Sequence, residues 1–183
     1  FQKKKVIKEI NSQIDKFLKI YKPKELKIDS HEHVHMIPWI SEYLSKQKLF
    51  SIKELRNANE KLMLPRLIDL FNLSYLRNVI ACLTIKILSF FKETNQNSPQ
   101  FAGLLYSGIQ NKDTIKKSLN FFRYNNYNNC EILVHPGYSS HKEKSKFDTK
   151  YFKFYNSINR KKEYNLCFLK EIKNELLNFK KGE

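Results

Sequence analysis

The sequence has little glycine and little cysteine. It holds four glycines and three cysteines among 183 residues. The cysteines, Cys82, Cys130 and Cys167, lie far apart in sequence and form no C-x-x-C pair. That spacing excludes a disulfide framework and favours a reducing compartment, so we expect a cytoplasmic protein. Cys82 and Cys130 fall in apolar runs and are expected in the core.

The sequence also lacks a long apolar run free of charge. Its longest apolar stretch, Leu64 to Phe91, carries Arg66, Asp69, Arg77 and Lys86. Those charges argue against a membrane span. The opening F-Q-K-K-K has no apolar segment of the kind found in a signal peptide, so we expect no signal peptide there.

Arginine is scarce although the chain is strongly basic. The formal net charge is +16, yet only five of the 34 basic residues are arginine. Base readers and phosphate clamps favour clustered arginine, whereas these lysines are spread along the chain. We therefore expect a solvated lysine-rich surface and no nucleic-acid partner. With 41% hydrophobic residues, the chain has the composition and length of a single globular domain over residues 1–183.

Helix-type and strand-type patterns alternate along the chain, after an amphipathic helix over residues 3–21. Strands are predicted over residues 25–29, 51–55, 101–106 and 130–134. Helices are predicted over residues 38–48, from Pro65 to about Lys92, over 114–124 with Asp113 as N-cap, and over 154–180 with a break near Cys167. The helix after Pro65 is apolar on more than one face and is expected to be well buried. This alternation predicts an α/β fold with a mainly parallel sheet or barrel.

Three of the five histidines fall within L-K-I-D-S-H-E-H-V-H-M-I-P, residues 26–38. In an extended backbone Asp29, His31, His33 and His35 would line one face, whereas in a helix only His31 and His35 would do so. A carboxylate beside imidazoles is either a set of metal ligands or a ligand with the group that orients it. A polar loop or a partner-binding site would show the same residues.

Polar residues follow three of the predicted strands. The histidine run follows the first strand, Arg56 ends the second, and His135 follows the last. Active sites of parallel α/β folds lie at the carboxyl ends of the strands. We therefore expect an active site built from these residues on one rim of the sheet.

A family resemblance enters at these same residues. The run I-D-S-H-E-H-V-H-M-I-P-W-I, residues 28–40, closely resembles the signature of the YdjC-like carbohydrate deacetylases, the chito-oligosaccharide and hopanoid-associated deacetylase group. Similar segments cover most of the chain: Glu9, Gln13 and Phe17 in the first helix, Glu54-Leu55-Arg56, Phe101-Ala102-Gly103, Tyr106-Ser107-Gly108, the stretch from Glu131 to Tyr138, and Arg160 with Glu163.

The resemblance implies a distorted (β/α) barrel and hydrolysis of an N-acetyl group on an amino sugar or oligosaccharide. It also implies a divalent metal, Mg²⁺ first and Zn²⁺ as the alternative. His31 resembles the family's metal ligand, and His135 resembles its general acid. His33, His35, Asp29 and Arg56 would contact the substrate or orient the groups that do.

The sequence departs from the family in its first part. Members of the family open with a strand ending Asn-Ala-Asp-Asp-Phe-Gly and continue to a Gly-x-His element, which supply the catalytic aspartate and a second histidine ligand. This sequence has no Asp-Asp pair and no histidine before His31. We therefore expect the C-terminal part of an incomplete barrel, inactive or nearly so by itself. An incomplete barrel leaves strand edges open, which favours pairing of two copies as a homodimer.

Two other interpretations remain open. The first is a different metal-dependent hydrolase of the amidohydrolase kind, whose barrel also places His-x-His at a strand end. The second is a non-catalytic remnant that binds sugar or nucleic acid.

Overall fold

The structure is a computed structural model, and it describes residues 2–91, 98–138, 152–153 and 156–181. The chain forms two compact units, Phe1–Asn57 with Ile87–Ser98, and Ala58–Lys86 with Pro99–Glu183. The elements of the first unit are α1 (Gln2–Tyr21), β1 (Leu26–Ile28), a 3₁₀ helix (His31–Met36), α2 (Pro38–Lys46) and β2 (Ile52–Leu55).

β1 and β2 pair in parallel, with Ile28 opposite Leu55. Because parallel strands cannot be joined by a tight turn, the 3₁₀ helix and α2 form the crossover between them. The pairing continues one residue past the strands, where the backbone N–H of Arg56 donates to the carbonyl of Ile28 at 2.9 Å. The segments after β1 and β2 therefore leave the sheet side by side at its carboxyl end.

The core of the first unit lies between α2 and the strands. Ile40, Leu44 and Leu55 are buried there, and Ile10 and Ile14 of α1 pack against them. None of the residues of α1 is fully buried, because only one stripe of this amphipathic helix meets the core.

The second unit repeats the strand–helix–strand pattern. Its elements are α3 (Leu67–Leu70), α4 (Leu73–Phe90) as far as Lys86, β3 (Gln100–Ala102), α5 (Lys112–Tyr124), β4 (Cys130–Ile132), α6 (Ile158–Leu166) and α7 (Lys170–Lys181). β3 and β4 are parallel, with Ala102 opposite Ile132, and α5 is the crossover between them.

Two hydrophobic clusters lie in the described part of this unit. One gathers Met63, Tyr75, Cys82, Leu105 and Tyr106. The other joins Ile115 and Leu119 of α5 to Leu166 and Ile172 of the last two helices. The clusters confirm that Cys82 is a core residue, since only 1% of it is exposed, whereas Cys130 is half-buried.

The alternation of helices and strands confirms the α/β class. The described residues form two separate two-stranded parallel sheets, with no closed barrel among them. The barrel expected from the resemblance is therefore not confirmed.

The single helix predicted from Pro65 to about Lys92 is wrong in two respects. It is divided into α3 and α4, because the side-chain oxygen of Asn72 accepts the backbone N–H of Ser74 at 2.9 Å and so caps a new helix. It is also not well buried. Its packed face holds Tyr75, Asn78 and Cys82, while large apolar side chains on the opposite face are exposed.

α4 is the one helix in the described part of the chain whose length and composition would allow it to cross a membrane. Core helices of water-soluble proteins meet the same criterion, so this finding does not show a span. Arg77 and Lys86 lie within the helix.

Other boundaries also differ from the sequence-based expectation. The N-cap of α5 is Asn111, not Asp113, since the Asn111 side chain accepts the backbone N–H of Thr114 at 3.1 Å. β3 ends at Ala102 because Gly103 adopts a φ of +118° and turns the chain. β4 stops at Ile132 rather than at residue 134, and its three residues are half-buried. The predicted break near Cys167 is confirmed between α6 and α7, whereas the predicted start at residue 154 lies outside the described residues.

Gly103, directly after β3, lies against the backbone of Leu133, directly after β4. A Cβ atom there would stand 2.3 Å from the carbonyl oxygen and 2.8 Å from the nitrogen of Leu133. We expect Gly103→Ala to lower the free energy of unfolding by about 3 kcal/mol, from the clash and the left-handed backbone together. Gly108→Ala is the matched control, because Gly108 has a φ of +74° but no atom within 4 Å of its added Cβ. Urea unfolding followed by circular dichroism should show a loss of only about 1–2 kcal/mol for the control; equal losses would contradict this account.

Candidate active site

The histidine turn, which we define as Asp29–Met36, begins directly after β1. Its 3₁₀ helix contains two residues in the left-handed region, Glu32 with φ 52° and His33 with φ 55°. The turn is therefore neither extended nor a regular α-helix, so neither of the two side-chain arrangements considered from the sequence applies. The two left-handed residues direct His33 and His35 into the protein and leave His31 outside.

His35 joins the ends of the two strands. Its Nδ1 lies 2.7 Å from the Ser30 hydroxyl, and its Nε2 lies 2.7 Å from the carbonyl oxygen of Arg56. Since a carbonyl only accepts, Nε2 must carry a proton and donate it, and in the neutral ring Nδ1 accepts from the Ser30 hydroxyl. That hydroxyl oxygen in turn accepts the backbone N–H of His35 at 2.9 Å. Both ring nitrogens are thus occupied, so His35 in this state offers no lone pair to a metal.

Asp29 and Arg56 form an ion pair at the carboxyl end of the first sheet. The Arg56 guanidinium donates to Asp29 Oδ2, and Asp29 Oδ1 lies 3.6 Å from His33 Nδ1. Partial burial raises the pKa of the Asp29 carboxyl, but His33 and the positive charge of Arg56 outweigh it and hold that pKa below its usual value. Asp29 is therefore an ionised carboxylate at neutral pH and a weak base.

His31 stands apart from this cluster. Its side chain is 96% exposed, and its nearest charged neighbour is Glu32, with 3.9 Å between Nε2 and Oε1. The sequence-predicted set is thus divided, with Asp29, His33, His35 and Arg56 together and His31 outside.

The described residues do not fit a metal site by themselves. Within residues 2–91, 98–138, 152–153 and 156–181, no group of three or more His, Cys, Asp or Glu side chains is placed to hold an ion. His31 is exposed and His35 has both nitrogens engaged, so the histidine turn supplies at most part of a ligand set.

The His135 turn, which we define as His135–Gly137, follows β4 in the second unit. Its backbone is held by α6: the His135 N–H donates to Glu163 Oε2, and the Gly137 N–H donates to the Arg160 carbonyl at 3.2 Å. The His135 side chain is 32% exposed, and its Nδ1 lies 3.5 Å from the Ser107 hydroxyl. The backbone of His135 is therefore held in place, while one side of its imidazole ring faces solvent.

Glu163 and Ser107 lie next to His135, and neither was among the site residues predicted from the sequence. Glu163 is completely buried, and its Oε2 lies 3.9 Å from His135 Nδ1. Burial raises the pKa of the Glu163 carboxyl, while the backbone N–H of His135 acts in the opposite direction. A signal for Glu163 was present in the Arg-x-x-Glu spacing with Arg160, but spacing does not reveal which face of the helix is buried.

Two parallel strand–helix–strand units with polar turns at their carboxyl ends define an α/β protein of the kind that places its chemistry in strand-end loops. The chain belongs to the YdjC-like protein family, whose model matches residues 1–177. Membership of this family supports a hydrolase of the carbohydrate deacetylase type, without specifying its substrate. Searches of curated proteins and of solved structures gave no match.

His31 and His35 should respond differently to removal. We expect His35→Ala to lower the free energy of unfolding by about 2–4 kcal/mol, because it leaves the Ser30 hydroxyl and the Arg56 carbonyl without their partner inside the protein. His31→Ala is the matched control and should change it by less than about 0.5 kcal/mol, because that side chain is exposed. Urea unfolding at pH 7 measures both, and equal effects would show that His35 does not join the strand ends.

Proposed function

We propose that this chain acts in the hydrolytic removal of N-acetyl groups from an amino sugar or oligosaccharide. The observation that carries the proposal is the His135 turn: an imidazole open on one side and anchored to a buried carboxylate, just past the end of a parallel strand. The family membership supports the same reaction class.

In amide hydrolysis water adds to the carbonyl carbon, and the tetrahedral intermediate then expels the amine. The amine leaves only when its nitrogen is protonated. We assign that proton to the His135 imidazolium, which then becomes neutral. A positioned general acid of this kind typically contributes about 10²–10⁴-fold to the rate.

The residues around Arg56 are proposed to contact the substrate or to orient the groups that do. Arg56 is partly exposed beside Asp29, so its guanidinium can donate to hydroxyl or carbonyl oxygens of a substrate. His33 and Asp29 orient that guanidinium, and His35 fixes the backbone on which it stands.

A divalent metal, Mg²⁺ or alternatively Zn²⁺, belongs to this proposal as a cofactor, with His31 as a ligand. A bound metal would polarise the acetamide carbonyl and acidify water. Since the described residues do not complete a ligand set, and since Asp29 is a weak base, we expect the 183-residue chain to hold metal weakly and to release little acetate.

The test combines sugar binding with acetate release, using N,N′-diacetylchitobiose with Mg²⁺ or Zn²⁺. We expect the sugar to shift the His135 ring signals in NMR spectra, and acetate to form close to the uncatalysed rate. The deacetylated dimer is the control ligand and should shift these signals less. Robust acetate release that His135→Ala abolishes would overturn the expected inactivity, while robust release unaffected by His135→Ala would overturn the role of His135.

Other outcomes would favour the alternatives. Hydrolysis of a cyclic amide without acetate release would indicate an amidohydrolase. Sugar binding that is unchanged by both His31→Ala and His135→Ala would indicate a non-catalytic remnant. Binding to any DNA duplex with a steep salt dependence would indicate a nucleic-acid binder.

We further propose that two copies pair through the exposed stripe of α4, which we define as Leu73, Leu76, Ile80 and Leu83. These side chains are 83, 42, 66 and 43% exposed. They recur at alternating intervals of three and four residues, the spacing of a helix–helix seam, so the stripe is complementary to a second copy of itself. Four partly exposed side chains offer much less than the roughly 800 Å² per partner of a stable interface, so the dimer should be weak.

Sedimentation velocity over a range of protein concentrations tests the pairing. We expect a concentration-dependent dimer that Ile80→Glu abolishes, and that strengthens with added salt because each copy carries a net charge of +16. Ser12→Glu, which adds the same charge at an exposed position of α1, is the control and should leave the dimer in place. A monomer at every concentration would contradict the proposal, and so would an assembly that Ile80→Glu leaves unchanged.

A further inference from the structure

α6 binds the whole backbone of the His135 turn. Arg160 accepts the N–H of Gly137 through its carbonyl oxygen, and Glu163, one helical turn further on, accepts the N–H of His135 through its side chain. Pro136 has no N–H to satisfy. Both backbone donors of the turn are thus bound by residues spaced three apart on one helix, which fixes the position from which the imidazole projects.

The same carboxylate also faces the imidazole ring. Glu163 Oε2 lies 3.9 Å from His135 Nδ1, and its side chain is completely buried, whereas His135 is 32% exposed. The backbone N–H groups of Gln110 and Gly108 also face this carboxyl and, like that of His135, lower its pKa. The carboxylate therefore approaches the ring from the protein interior, where its charge is poorly screened by water.

Two other polar residues, Ser107 and Arg160, lie near His135 and Glu163. The Ser107 hydroxyl, in the turn that follows β3, lies 3.5 Å from His135 Nδ1 and can donate to the neutral ring or accept from the protonated one. Burial raises the pKa of the Glu163 carboxyl, and the positive charge of Arg160 acts in the opposite direction. Of these groups, Glu163 is the one that can carry a negative charge and so favour an imidazolium.

We propose that Glu163 is the positioning residue of His135: it fixes the turn and stabilises the positive charge of the ring. This inference rests on the proposed function. A residue that donates a proton to a leaving amine must hold that proton near pH 7, and Glu163 would help the His135 ring to do so. The proton resides on His135 before the reaction and passes to the amine nitrogen, while Glu163 touches neither the substrate nor the reacting atoms.

The test is an NMR titration of the His135 ring in the full chain, with its signals assigned by their absence in His135→Ala. In the unsubstituted protein we expect the pKa of His135 to lie above the free value of about 6.5. In Glu163→Gln we expect it to fall by about one unit, a tenfold loss of proton affinity. The glutamine amide oxygen still accepts the His135 N–H, so a merely structural role would leave that pKa unchanged.

Two further variants provide the controls. Glu171→Gln removes an exposed carboxylate of α7 that pairs with lysines and should leave the His135 pKa unchanged. Glu163→Asp keeps the charge and should retain most of the raised value. An unchanged His135 pKa in Glu163→Gln would overturn the inference. A value at or below 6.5 in the unsubstituted protein would also overturn it, even where Glu163→Gln does not fold.

The titration needs neither sugar nor metal, so it separates the inference from the proposed function. A raised His135 pKa that depends on Glu163, with no effect of diacetylchitobiose on the ring signals, would keep the positioning role and refute the sugar reaction. A normal pKa together with acetate release lost in His135→Ala would keep the reaction and refute the role of Glu163.

Discussion

Parallel pairing of short strands is the constraint on which both polar turns depend. Each strand pair requires a helical crossover, so both strands finish at the same edge of their sheet. In each unit one backbone hydrogen bond continues the ladder beyond the strands, from Arg56 to Ile28 and from Leu133 to Ala102. Past that bond the sheet no longer satisfies the backbone, and side chains must supply the partners.

Each turn meets this requirement with a buried polar side chain. In the first unit His35 accepts from Ser30 and donates to the carbonyl of Arg56. In the second unit Glu163 accepts the backbone N–H of His135. An unsatisfied buried group costs about 1–3 kcal/mol, so these contacts decide whether such short sheets end in an ordered turn. The density of polar residues at the strand ends is therefore partly structural.

The hydrogen bonds that hold the two turns also determine which polar side chains remain accessible to solvent. His31 is almost fully exposed, and His135 presents one side of its ring to solvent. Arg56 and Asp29 neutralise each other, which makes Asp29 a weaker base and leaves the guanidinium oriented. This division agrees with the roles proposed for His135 as an acid and for Arg56 as a binding group, and it makes Asp29 a poor candidate for a base.

The amino-acid sequence by itself determined the α/β alternation, the two strand-end turns and the family. Period-2 and period-3.6 patterns are local properties, and the I-D-S-H-E-H-V-H run is specific enough to identify its relatives. The sequence also predicted the break near Cys167 and the placement of Arg56 and His135 shortly after strand ends.

Only the tertiary structure decided which polar groups face inward. Left-handed φ values at Glu32 and His33 separate His31 from His35, although alternating spacing had placed them on one face. Asn72 rather than Pro65 begins α4, and Asn111 rather than Asp113 caps α5, because several capping residues compete and tertiary packing selects among them. Glu163 becomes a site residue only because α6 packs beneath a turn 28 residues earlier in the chain. Burial of that kind depends on contacts between distant segments, which a local pattern does not encode.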